Sequence, residues 1–130
     1  MPTIKTEQAA PSSPQLKIGA HTTATVQVHA LSAGHLTLPE KYFVYPASET
    51  SRKTVPSLAF LIQHCNSDTG KVTRIVFDLG LRRDIQRYSK DIQRHASTRQ
   101  PVSTDPDVVK SLAAGGLGAD DIDFVIYSHV

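Results

Sequence analysis

The chain has a single cysteine, Cys65, one methionine, no tryptophan and little net charge. One cysteine excludes an internal disulfide and fits a reducing compartment. Nowhere do about 18 apolar residues follow one another, so no membrane span is expected. Residues 1–20 carry Lys5 and Lys17 with no apolar run between them, and so lack a signal-peptide core. These absences lead to the expectation of a soluble, cytoplasmic protein. A net charge of +2 gives neither nucleic acid nor an anionic membrane an electrostatic footprint. No internal repeat is evident.

What is present is the composition of a globular domain. At 130 residues, 39% hydrophobic and 20% charged, the chain has room for one folded unit. Residues 1–22 are rich in Pro, Ser, Ala and Gln and lack periodicity, so a disordered arm is expected there, with the domain spanning 23–130. Ala24, Val26, Val28 and Ala30 alternate with polar residues, as in a half-buried strand. A long loop is expected from Ser32 to Val55, with Tyr42, Phe43 and Tyr45 available to line a pocket for an apolar group.

The next elements are better punctuated. Ser57–Gln63 is a continuous apolar run suited to a strand covered on both faces. Asn66, Asp68 and Gly70 supply turn chemistry, and Lys71–Asp78 is a second strand, so the two form a hairpin. Leu81, Ile85, Tyr88 and Ile92 recur at helical spacing through Arg82–His95, and Asp84 and Arg87 are placed to pair. A second helix has Thr104 or Asp105 as N-cap, Val108, Val109 and Leu112 facing inward, and Gly115–Gly116 as its stop. A buried strand, Ile122–Ser128, follows. The fold class is α/β, in the order β, β, β, α, α, β.

Three segments carry chemistry when read together. They are Val55-Pro56-Ser57-Leu58-Ala59-Phe60-Leu61-Ile62, then Ile75-Val76-Phe77-Asp78-Leu79-Gly80, and finally the run from Leu117 through Asp121-Ile122-Asp123 to Ser128-His129. In this order and spacing they resemble the metallo-β-lactamase superfamily, most closely its lactonase-like branch, the N-acyl homoserine lactonase type. The resemblance covers residues 23–130. It implies the N-terminal half of an αββα sandwich, and a zinc hydrolase acting on lactones, lactams or thioesters with one or two metal ions. His129 matches the first histidine of the family's His-x-His-x-Asp-His motif; the other ligands of that motif would lie beyond Val130. Asp78 matches an aspartate that supports the metal loop by hydrogen bonds, and its alternative role is to cap the turn at Gly80.

A hydrolytic zinc site needs several ligands converging on one ion, with a position left for water. A complete structural site is worth about 10–16 kcal/mol, so an even share is about 2.5–4 kcal/mol per ligand. That corresponds to a dissociation constant no tighter than about 1 mM for His129 alone. The expectation is therefore a chain that neither holds zinc nor hydrolyses substrate by itself. With half a sandwich, one sheet face is expected to stay bare, and a protein partner covering it is the alternative, non-catalytic reading.

The remaining candidates have plainer readings. His21, His29, His35, His64 and His95 lack ligand spacing and are expected as surface or satisfied histidines. Cys65 and His64 are adjacent on a strand and point to opposite faces, so they do not pair. Gly115-Gly116-Leu117-Gly118 follows a helix and lacks a phosphate-loop lysine, and reads as a helix stop. Arg82, Arg83, Arg87, Lys90 and Arg94 read as a solvated face.

Overall fold

The computed structural model describes residues 24–129. The expected disordered arm at 1–22, with His21, lies outside the described residues. The architecture is α/β: a four-stranded mixed sheet, in the order β1-β2-β3-β4, with two helices. The strands are β1 (Val26–Pro39), β2 (Arg52–Cys65), β3 (Val72–Phe77) and β4 (Phe124–Ile126); the helices are α1 (Lys90–Ser97) and α2 (Val108–Ala114). β1, β2 and β3 pair antiparallel, and β4 joins β3 in parallel. No helix among the described residues is long and apolar enough to cross a membrane.

The expected hairpin forms. Asn66 Oδ1 accepts the amides of Asp68 and Thr69, and Gly70 adopts φ +68°, which closes the turn between β2 and β3. Half of the long loop expected from Ser32 to Val55 is strand instead. β1 continues to Pro39 and β2 begins at Arg52. Pro56 is tolerated inside β2 for a specific reason. Its partner His35 exchanges both backbone hydrogen bonds with Ser103, on the far side of β1. His35 and Pro56 are thus a non-hydrogen-bonded pair, and the missing N–H of Pro56 faces away from β1.

Between Ser32 and His35 the register slips, leaving Ala33 and Gly34 opposite Ser57 alone. Gly34 takes φ +99°, and a Cβ there would meet the Ser103 carbonyl at 2.9 Å and Leu81 Cβ at 3.0 Å. The bulge therefore lets two other segments approach β1 closely. One of them is the turn after β3. The Leu81 amide donates to the Ala33 carbonyl at 2.8 Å, and Gly80 lies so close to Ala33 that a Cβ would fall 2.2 Å from the alanine Cβ.

The core lies on one face of the sheet. Leu31, Ala59, Leu61 and Val76 share that face through their register, and α2 covers them with Val108 and Leu112. The α2 N-cap is Asp107, in place of the expected Thr104 or Asp105; its carboxylate accepts the Lys110 amide at 2.9 Å and an Arg83 guanidinium N–H at 2.8 Å. Val109, expected inward, is exposed, because the helix offers the core only the Val108 and Leu112 side.

The other face is bare among the described residues. Val28–Ile62–Ile75–Phe124 and Ala30–Phe60–Phe77–Ile126 run side by side across all four strands. Val28, Phe124 and Ile126 remain 56%, 60% and 45% exposed. This corrects two expectations: Val26 and Val28 are not half-buried, and β4 is three exposed residues, not a buried strand from Ile122 to Ser128. An edge strand with a single neighbour and no layer above it has nothing to be buried against.

The helix expected over Arg82–His95 is broken. Asp84 caps a 3-10 turn (Ile85–Arg87) by accepting the Gln86 amide, and Ser89 starts α1 by accepting the Ile92 amide. Short polar side chains that bind nearby amides favour helix starts over helix interiors. Asp84 and Arg87 form no ion pair among the described residues, and the i,i+3 pair that forms is Asp91–Arg94 at 3.1 Å.

Candidate functional site

The turn after β3 and the end of β4 meet at one point. Asp78 has φ +61°, a left-handed conformation uncommon for a residue with a side chain. Its amide donates to the Ile126 carbonyl at 2.8 Å, which extends the parallel pairing. Its carboxylate then reaches Ser128: Oδ1 accepts the Ser128 amide at 2.8 Å, and Oδ2 accepts the Ser128 hydroxyl at 2.7 Å. Of the two roles weighed for Asp78, the geometry is that of a residue holding the neighbouring loop. These two bonds, the backbone one first, hold the Asp78 carboxyl below its ordinary range, with a further contribution from His129.

The Ser128 hydroxyl also touches His129 Nδ1 at 2.7 Å. Proton counting fixes the roles. The ionised Asp78 carboxylate only accepts, so the single Ser128 hydroxyl proton goes to Oδ2. Ser128 Oγ then accepts from His129, and Nδ1 carries a hydrogen. In the neutral ring the lone pair is left on Nε2. The order Asp–Ser–His differs from a nucleophile triad, where histidine stands in the middle. Here serine links the carboxylate to the imidazole, whose Nε2 has no hydrogen-bond partner among the described residues.

That imidazole borders a cleft of about 560 Å³. One wall has Leu58 from the middle of β2, Leu79 from the turn after β3 and Tyr127 from the end of β4; the other consists of the 3-10 turn and α1, with Ile85, Tyr88 and Ile92. The volume falls in the range of small-molecule sites, and the lining is largely apolar with few polar groups. The cleft has two polar ends. Asp78 and His129 stand beyond β3 and β4. His95 and Arg99 stand beside β1, where the Arg99 carbonyl accepts the Thr37 amide at 2.9 Å.

Sequence reasoning located His129 and Asp78 but missed this second end. His95, expected as a surface or satisfied histidine, is exposed, and it also lines the cleft with Arg99 four residues on. The signal was the spacing of Tyr88, Ile92, His95 and Arg99, which continues one apolar stripe into two basic residues. Tyr42, Phe43 and Tyr45, expected to line a pocket, are 65%, 64% and 98% exposed and lie outside the cleft. The strand extension of β1 and β2 carries their loop away from it.

Among the described residues no three His, Cys, Asp or Glu side chains gather as a metal ion would require. His129 offers one nitrogen, and Asp78 is already engaged by Ser128. These residues alone do not fit a zinc ion. In comparisons with family models, curated proteins and solved structures, nothing matches the chain.

Proposed function

We propose that this chain is a metallo-β-lactamase-like hydrolase module of the lactonase type, presenting the first histidine of the metal motif beside a substrate cleft. The single observation that carries the reading is the Asp78 carboxylate gripping both polar groups of Ser128 and so orienting His129. The second and third motif segments are joined at this point by the Asp78–Ser128 hydrogen bonds. Substrates of this reading are lactones, lactams or thioesters with an apolar part, and the implied metal is zinc, one or two ions. Zinc would supply an activated water in a completed site.

The described residues contribute three things to that chemistry. Leu58, Ile85 and Ile92 receive an apolar group and exclude water from it. Ser128 and Asp78 fix the His129 tautomer. Gly80, packed on Ala33, fixes Asp78. None of these activates water, so the 130-residue chain alone is inactive under this reading. The discriminating experiment is to read the transcript past the Val130 codon. A second histidine followed by an aspartate–histidine pair supports the hydrolase reading; a stop codon favours the second one.

The second reading is a non-catalytic module that binds a protein partner through the bare sheet face. Its supporting observation is the exposure of Val28, Phe124 and Ile126 in one contiguous patch.

A further inference from the structure

We infer that the cleft takes an amphipathic anion: an apolar body lying across the sheet end, with a carboxylate or similar acid group held by Arg99 and His95. Among the described residues, Arg99 is the one lysine or arginine that lines the cleft. It is half-buried and forms no ion pair with any carboxylate among the described residues. Its Nε instead makes a long contact of 3.4 Å to His95 Nε2. The other guanidinium nitrogens have no protein partner there, whereas Arg52, nearby, places one nitrogen on the carbonyls of Thr98, Gln100 and Thr37. A guanidinium beside apolar walls is a directional site for a planar acid group.

Polarity orients the ligand. The Asp78 carboxylate stands at the opposite end and repels an acid group from it. The Arg99 backbone adjoins the outer edge of β1 at Thr37, whereas Asp78 follows β3 and bonds to Ile126 of β4, so the two charges reach the cleft from different edges of the sheet. Leu58, Ile85 and Ile92 line the same cleft with apolar side chains. A ligand with an acid group at one end and an apolar body satisfies both groups at once. The inference rests on the proposed function in placing the substrate in this cleft, with the bond to be broken near His129. Its test needs neither metal nor turnover, so either can fail without the other.

The test is binding of octanoate to the full 130-residue chain, at submicellar concentration with a chelator present, followed by amide chemical shifts. Octanol serves as the uncharged control and octylamine as the cationic one. The expected result is saturable shifts at Leu58, Leu81, Ile92, Ala96 and Tyr127, with octanoate binding more tightly than either control. Arg99→Gln is expected to weaken octanoate roughly tenfold to a hundredfold, as for loss of a hydrogen bond to a charged group, and to leave octanol unchanged. The variant's remaining spectrum reports whether the fold is intact, and Arg99→Lys, which keeps the charge, should retain part of the preference. Equal binding of octanoate and octanol, an unchanged affinity in Arg99→Gln, or shifts centred on Val28, Phe124 and Ile126 would overturn the inference.

Discussion

Asp78 and Ser128, fifty residues apart, are joined by two hydrogen bonds through a single carboxylate. The pair ties the turn after β3 to the end of β4, and its consequence is local order at His129. Asn at position 78 tolerates the left-handed backbone but offers one acceptor oxygen in place of two. Asp78→Asn is therefore expected to keep the sheet and to speed exchange of the Ser128 amide, whose acceptor loses its charge. Asp78→Gly relieves the backbone strain and removes both bonds, so it should leave Ser128 less protected still. Hydrogen exchange followed by NMR reads both, and equal protection in all three proteins would contradict the clamp.

Gly80 and Gly70 make a matched pair for a second prediction, since both have positive φ, +64° and +68°. A Cβ at Gly70 meets nothing within 4 Å, while one at Gly80 would fall 2.2 Å from Ala33 Cβ and 2.5 Å from its carbonyl oxygen. Gly70→Ala should cost about 1–2 kcal/mol, the backbone penalty alone. Gly80→Ala adds overpacking of about 1–3 kcal/mol and should displace the Asp78 turn. Urea unfolding midpoints compare the two. A smaller loss for Gly80→Ala would mean that the bulge does not hold the turn.

Asp107 carries the pH dependence. The Arg83 hydrogen bond, followed by the Lys110 amide, holds its carboxyl below the ordinary aspartate range. A depressed folded-state value means that the unfolded chain takes up the proton first. Its contribution is therefore present above the usual aspartate range and is lost as pH falls through the lower, folded-state value. Asp107→Ala should cost about 1–2 kcal/mol near neutrality, as for other helix caps, and the difference from wild type should shrink in acid. Arg83 is largely exposed, so most of this loss belongs to the cap and not to the ion pair. Unfolding curves at a series of pH values test the sign; a difference that grows in acid contradicts it.

The parts legible in the sequence were those fixed by local chemistry. Asn66 through Gly70 wrote the hairpin turn, and Gly115 and Gly116 the end of α2. Other parts depended on partners distant in sequence. β1 and β2 run through Gly34, Pro39 and Pro56, residues that read as loop punctuation, because the Ser103 segment and the unpaired edge of β2 accept them. The apparent helix over Arg82–His95 had correct periodicity, but Asp84 and Ser89 captured amides and split it. β4 looked buried by composition, whereas burial depends on a second layer that the described residues do not supply. In the site, Asp78 and His129 were legible through the motif, and Arg99 was not, since only the folded chain sets it across the sheet from them.

A direct zinc titration bears hardest on the reading of His129 as one ligand of an unfinished set. Calorimetry on the metal-free 130-residue chain, beside His129→Ala, should give binding no tighter than about 1 mM and no difference between the two proteins at micromolar zinc. Micromolar, one-to-one binding that disappears in His129→Ala would show that this chain completes a metal centre by itself, and would contradict the account.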